Sequence, residues 1–123
     1  MSSMAFGRTP RGVLAGWETE GRVRFGLVQT DQAAIPSREE PAAGDPARKD
    51  RKYPEIASNK AGETIRIWTE GMGWKRGGAV AWQICDANGS RTDINATGRQ
   101  DGVPPDGDAA VFARADGAFV IVY

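Results

Sequence analysis

The chain has 123 residues, 16 basic and 16 acidic side chains, and no histidine. The balanced charge argues against nucleic acid or an acidic membrane surface as a partner. The missing histidine excludes a Ser-His-Asp triad, a Cys-His pair and the usual zinc sites. The single cysteine, Cys85, can form neither an internal disulfide nor a metal-binding cluster. We therefore expect no metal and no cofactor.

The first half of the chain predicts one hairpin and one long loop. Residues 1–12 lack the apolar core of a signal peptide and are expected to be disordered. Val13 to Glu20 and Val23 to Thr30 are predicted strands that form a hairpin around Gly21. A short edge strand is expected near Ala33 to Ile35, followed by a charged, Pro-rich surface loop over residues 37–52.

The second half predicts further strands, because short apolar runs alternate with Gly- and Asn-rich turns. The expected strands are Tyr53–Ser58, Glu63–Glu70, Ala79–Cys85, a weak one near Ser90–Asn95, Ala109–Arg114 and Ala118–Tyr123. Asn88-Gly89 suits a type I′ hairpin turn. Gly71–Gly78 and Thr97–Asp108 are predicted irregular loops. No run approaches the roughly 20 apolar residues of a membrane span.

One strand pattern recurs along the chain. Aligning Trp68 with Tyr123 places Ile65 on Val120 and Gly62 on Gly117 without a gap. Aligning Trp17 with Trp68 places Leu14 on Ile65. The next strand then repeats as well, with Val23, Phe25 and Leu27 on Val80, Trp82 and Ile84. The sequence therefore contains near-copies of one supersecondary unit.

A period of about 50 residues with four antiparallel strands is typical of a β-propeller blade. The predicted fold is all-β, an incomplete propeller of about two blades. Residues 13–36 supply strands 2–4 of a partial blade, 53–97 a complete blade, and 98–123 the first two strands of another. The alternative is a meander or sandwich whose hairpins resemble one another. Because a ring takes four or more blades, the expected partners include the rest of a parent chain or other copies of this chain.

The pieces VLAGWETEGRVRFGLVQ, YPEIASNKAGETIRIWTEGMGWKRGGAVAWQICDANG and VFARADGAFVIVY resemble the propeller region of uncharacterised planctomycete-type bacterial proteins. That region is similar to the sialidase-like, Asp-box superfamily of propellers. Of the Asp-box pattern Ser-x-Asp-x-Gly-x-Thr-Trp, Ser58, Gly62 and Thr64 fit, whereas Lys60 stands for the aspartate and Ile65 for the tryptophan. The resemblance implies a propeller, and export of a longer parent protein.

Successive connections in an antiparallel sheet lie at alternate ends, so the long predicted loops share one end. Loops on a rigid scaffold concentrate binding residues. Trp74 beside Lys75 and Arg76 offers an apolar plate next to two cations, and Glu70 lies where its strand enters this loop. The alternative is that Trp74 packs under its own loop and that the charges are solvated.

The second irregular loop adds Arg99 and Asp101 as candidate binding residues, and its Asp106 and Asp108 could work as paired carboxylates on a glycosidic bond. Local turn hydrogen bonds are the plainer role for these aspartates. The sialidase resemblance would require an arginine cluster and a tyrosine nucleophile with a glutamate, for which Tyr53 and Tyr123 are the available tyrosines.

Three functional hypotheses follow. The preferred one is a noncatalytic propeller segment of a larger protein that binds glycan or protein through the end bearing the long loops. The second is part of a sialidase-like glycoside hydrolase. The third is a self-assembling structural module.

Overall fold

The computed structural model describes residues 3–28, 40–44, 47–90 and 96–123, with only the backbone for residues 40 and 41. These residues form two four-stranded antiparallel sheets and one two-stranded sheet, so the predicted all-β class is confirmed. In both larger sheets, neighbouring strands follow chain order. No helix in the described part of the chain has the length and hydrophobicity of a membrane span.

The first sheet contains β1 (Met4–Thr9), β2 (Gly12–Thr19), β3 (Arg22–Leu27) and β4 (Glu40–Pro41). The second sheet contains β5 (Arg51–Ser58), β6 (Thr64–Glu70), β7 (Gly78–Cys85) and β8 (Thr97–Val103). The C-terminal hairpin contains β9 (Ala110–Ala113) and β10 (Phe119–Val122).

The second sheet is covered on both faces. Side chains alternate along a strand, and all seven residues of β6 are nevertheless buried. One face carries Trp68 and packs on Phe25 of the first sheet, with the ring centroids 6.2 Å apart. The other face carries Ile65 and Ile67 and packs towards the C-terminal hairpin. Because both faces are buried, neither β6 nor β7 shows the alternation of apolar and solvated charged residues that is typical of a half-exposed strand.

The first and second sheets approach closely at their first strands. Gly7 on β1 faces Ile56 on β5, and a Cβ added at Gly7 would lie 2.5 Å from the Ile56 Cγ2 atom. Only glycine fits this approach without a shift of the neighbouring backbone or side chain.

The strand registers repeat between the sheets. In the first sheet Leu14 pairs with Leu27, and in the second sheet Ile65 pairs with Ile84. Trp17 and Trp68 likewise occupy equivalent places, opposite Arg24 and Ala81. The hairpin repeats the first half of the second sheet, because Ala57 pairs with Ile65 and Phe112 pairs with Val120. The alignment that the sequence predicts is thus also an alignment of hydrogen-bonded registers.

The N-terminus differs from the prediction. Residues 1–12 were expected to be disordered, but Met4–Thr9 is β1 and supplies the first strand of the first sheet, which was expected to begin with a second strand. Its short run, MAFGRT, has only a weak strand composition. A turn at residues 9–12 brings it onto β2, with the Thr9 hydroxyl donating to the Gly12 carbonyl at 2.8 Å.

The fourth strand of the second sheet also differs. An irregular loop was predicted at Thr97–Asp108, whereas Thr97–Val103 is β8 and the second sheet spans Arg51–Val103. β8 is an outer strand with four successive exposed residues, and edge strands tolerate such polarity. The weak strand predicted near Ser90–Asn95 falls mostly on residues 91–95, and the edge strand at Ala33–Ile35 entirely on residues 29–39. Both segments lie outside the described residues.

Candidate functional site

The connections between strands gather at two opposite ends of the sheets. At one end, which we call the Trp74 end, the Arg51 amide donates to Gly21 at 2.9 Å and the Gly71 amide donates to Asp50 at 3.0 Å. This end carries residues 20–21, 42–44, 47–50, 71–77 and 104–109. At the other end, the Asn59 end, Asn59 donates through Nδ2 to the Gly117 carbonyl at 3.0 Å. The expectation that the long connections share one end is wrong, because the two longest, between β3 and β4 and between β7 and β8, begin and end at the Asn59 end.

The loop at residues 71–77 presents Trp74 to solvent. Gly73 and Arg76 close the turn with two reciprocal backbone hydrogen bonds of 3.2 and 3.0 Å. The Arg76 Nε donates to the Gly71 carbonyl at 2.9 Å. Trp74 is 87% exposed, and the Lys75 Nζ lies 4.6 Å from its ring centroid. The alternative in which Trp74 packs beneath its own loop is therefore wrong.

Trp74 and Met72 border a cleft of about 560 Å³ at the Trp74 end. We call this the Trp74 cleft. Its other walls come from the start of β5, with Lys52 and Tyr53, and from the connection between β8 and β9, with Asp106 and Asp108. An indole face, two carboxylates, an ammonium group and a phenol thus surround one space. This combination can contact an apolar surface and exchange several hydrogen bonds at once.

Backbone irregularities shape this cleft. The pairing of β5 with β6 shifts between Lys52 and Glu55, which is a β-bulge. Tyr53 lies in the bulge with a φ of 54°, and Asp106 on the opposite wall has a φ of 58°. Positive φ is uncommon for residues other than glycine and costs on the order of 1 kcal/mol. Bulges change the direction in which a side chain points, and here the bulge brings Tyr53 to the cleft wall.

Glu55 on β5 interacts electrostatically with Asp108 in the wall of the cleft. Burial raises the pKa of Glu55 above its ordinary value of 4.5, and the negative charge of Asp108 raises it further. Burial of Glu55 is the larger cause of this shift, and the charge of Asp108 is the smaller one.

Glu70 lies in a second cleft, on the face of the second sheet that meets the first. It is 3% exposed, and three guanidinium groups surround it. The Arg51 Nε donates to its Oε2 at 2.9 Å, the Arg48 Nε lies 3.3 Å from the same oxygen, and the Arg99 Nε lies 3.3 Å from Oε1. We call Glu70, Arg48, Arg51 and Arg99 the arginine cluster. They border a cleft of about 400 Å³ together with Trp68.

Arg51 is the structural centre of the arginine cluster. It is 5% exposed, and it also donates to the Ala42 and Ala43 carbonyls at 3.2 and 2.7 Å. Its Cζ lies 5.4 Å from the Trp68 ring centroid. One buried cation thus connects Ala42 and Ala43 to β6. A buried ion pair needs such additional hydrogen bonds to offset its desolvation.

The outer arginines have acidic partners of their own. The Arg48 guanidinium donates two hydrogen bonds to Asp50, which lower the pKa of that carboxyl below its usual 3.8. Arg99 pairs with Asp101 at 2.7 Å, and the Asp101 side chain is 79% exposed. Three arginines therefore face three carboxylates.

The structure divides the predicted binding residues into two groups. Glu70, Arg99 and Asp101 belong to the arginine cluster or adjoin it, whereas Trp74, Lys75 and Arg76 form the exposed loop. Arg48 and Arg51 were missed, because residues 37–52 were assigned to a charged surface loop. No local signal distinguishes Arg51, the first residue of β5, from the charged residues beside it.

The components of a sialidase site do not share one cleft among the described residues. The arginines border the cleft beside Glu70, whereas Tyr53 borders the Trp74 cleft. Tyr123 lies with Phe119 and Ile121 in an apolar groove. The described residues also contain no group of three or more His, Cys, Asp or Glu side chains suited to a metal ion. Comparisons with family models, curated proteins and solved structures find no match to this chain.

Proposed function

We propose that the chain is a noncatalytic segment of a β-propeller and that it binds a glycan in the Trp74 cleft. The repeated registers and the second sheet buried on both faces support the propeller, because a blade is a four-stranded sheet stacked between similar sheets. In this proposal the remaining blades come from a longer parent chain or from other copies of the chain.

The exposure of Trp74 is the observation on which ligand binding rests. An indole that is 87% exposed buries little of its surface on folding, and an exposed aromatic residue at the edge of a cleft is typical of a recognition surface. The turn that carries Trp74 is closed by backbone hydrogen bonds and by Arg76. The backbone that carries the indole is therefore ordered before a ligand arrives, which lowers the entropic cost of binding.

The polar groups of the cleft favour a glycan over an anionic ligand. Asp106 and Asp108 can accept hydrogen bonds from sugar hydroxyls, and Lys52 can donate to them. Asp106 and Asp108 line the same cleft, so their negative charges disfavour an anionic ligand beside them. A pyranose ring combines an apolar face, suited to Trp74, with hydroxyls at its edge.

The test is a glycan array probed with the labelled protein, followed by calorimetry on the best ligand. We expect Trp74→Ala to weaken binding by about 5- to 30-fold, since an aromatic contact contributes roughly 1–2 kcal/mol. Trp74→Phe keeps an aromatic plate and should lose less. Lys60→Ala, at the Asn59 end, is the matched surface control and should bind like the wild type.

Two outcomes would contradict the proposal. One is an array without any ligand above background, or with a ligand whose affinity Trp74→Ala leaves unchanged. The other is turnover of a fluorogenic glycoside by the purified protein, which would favour the glycoside hydrolase. Binding of a protein ligand that depends on Trp74 would keep the site and change the ligand class.

A further inference from the structure

Apolar side chains are exposed at the two outer faces of the stack of sheets. Among the described residues, six large hydrophobic side chains are exposed, and four of them lie on these faces. Met4 (63% exposed) and Phe6 (61%) are on the outer face of the first sheet, and Phe112 (51%) and Val122 (56%) are on the outer face of the C-terminal hairpin. Exposed apolar clusters of this kind mark interaction surfaces.

Strand alternation fixes which way these residues point. On β1, Gly7 faces the second sheet, so its neighbour Phe6 points away from that sheet. On β10, Phe119 and Ile121 pack towards the second sheet, so Val122 points outward. Phe112 pairs with Val120 and occupies the same outer face of the hairpin.

The two outer faces are the two halves of an interface that the chain already uses. Phe6 pairs with Ala15 in the first sheet, and Ile56 pairs with Arg66 at the same register position of the second sheet. Phe6 is therefore equivalent to Ile56, and Trp17 is likewise equivalent to Trp68. The outer face of the first sheet therefore corresponds to the face of the second sheet that receives the first.

The outer face of the hairpin corresponds to the other half of the interface between stacked sheets. Phe112 and Val120 are equivalent in register to Ala57 and Ile65, and these lie on the face of the second sheet that packs on the hairpin. Sheets in this chain thus always stack with one type of face against the other. Among the described residues, no strand covers the outer face of the hairpin or the outer face of the first sheet.

We propose that a second copy of the chain packs the outer face of its first sheet on the outer face of the hairpin, head to tail. β1 of one copy then lies beside β9 of the next, as β1 lies beside β5 and β5 beside β9 within the chain. Such a heterologous contact uses two different surfaces and builds a closed ring or an open row of copies. The inference rests on the repeated registers and is independent of glycan binding.

Two variants, each blocking one face, test this arrangement. Phe6→Lys blocks the first-sheet face and Phe112→Lys blocks the hairpin face. Both sites are more than half exposed, so circular dichroism and the thermal midpoint should show wild-type folding. In sedimentation velocity over a range of concentrations, we expect the wild type to associate. Each variant alone should have an association constant at least ~10-fold below that of the wild type, and it should be monomeric at concentrations where the wild type associates.

Mixing the two variants gives the decisive result. Each retains the face that the other lacks, so an equimolar mixture is expected to form a one-to-one dimer that cannot extend. Trp74→Ala removes an exposed aromatic residue elsewhere and should associate like the wild type. A wild type that stays monomeric at every concentration, or a single-face variant that still self-associates, or a mixture that stays monomeric, would each overturn the proposal.

Discussion

The substitution Glu70→Gln tests how the second sheet is held to the segment that contains Ala42 and Ala43. Glutamine preserves the size of the side chain but removes a negative charge that lies within 3.3 Å of all three guanidinium groups of the arginine cluster. Breaking a buried ion pair by removing one partner costs roughly 3–5 kcal/mol. Arg51 keeps its two carbonyl acceptors, and Arg48 and Arg99 are partly exposed. We therefore expect a loss near the lower limit, about 3 kcal/mol.

Urea unfolding at neutral pH measures this loss as a shift of the midpoint at constant m-value. In a thermal scan the midpoint should fall by roughly 10–15 °C for a domain of this size. Glu20→Gln, at an exposed turn, is the matched control and should stay within about 0.5 kcal/mol of the wild type.

A second substitution separates the charge from the packing. Arg51→Met removes the buried cation, so it should cost less in the Glu70→Gln background than in the wild type, and the difference measures the coupling between the two side chains. A loss below about 1 kcal/mol for Glu70→Gln, or additive effects in the double variant, would refute the view that the pair holds this segment.

Three further predictions concern individual contacts. Burial and the charge of Asp108 raise the pKa of Glu55, so folding favours the protonated form of this carboxyl. The stability that Glu55 contributes is complete below pH 4.5 and is lost as the pH rises through the pKa of the folded state. Glu55→Gln should therefore gain stability over the wild type as the pH rises, and a pH-independent difference in urea midpoints would argue against this. Gly7→Ala should cost about 1–3 kcal/mol through its clash with Ile56, and Ile56→Ala in the same chain should recover part of that loss; a fully additive double variant would speak against the contact. Asn59→Ala should cost about 1–2 kcal/mol in urea unfolding because it removes the hydrogen bond to Gly117, and an unchanged midpoint would contradict that role.

The strands of the stacked core could be predicted from the sequence. Leu14, Ile65 and Val120 repeat with constant spacing because they occupy the same place in sheets that stack in the same way. Gly89 and Gly117 marked turns because glycine there has a φ of 84° or 91°, which other residues avoid. The type I′ turn expected at Asn88-Gly89 is wrong, because Asn88 lacks the positive φ that this turn type requires at both central residues. Buried positions restrict the residue type, and this restriction makes a repeat visible in one sequence.

The outer strands and the arginine cluster could not be predicted in the same way. β8 is mostly exposed, so packing leaves little trace in its composition. β1 is short and exposes Met4 and Phe6 on one face. Arg51 was missed because an arginine before a strand gives no local sign of burial. Its partner Glu70 and its acceptors Ala42 and Ala43 come from other parts of the chain, and only the fold brings them together.

The account depends most on one sheet pattern that recurs with a single register. Nuclear Overhauser spectroscopy on isotope-labelled protein measures this directly through backbone contacts between paired strands. We expect cross-strand contacts between Leu14 and Leu27, between Ile65 and Ile84, and between Phe112 and Val120. A register shifted by one residue in any of the three sheets would contradict the account, because every side chain of that strand would then move to the other face.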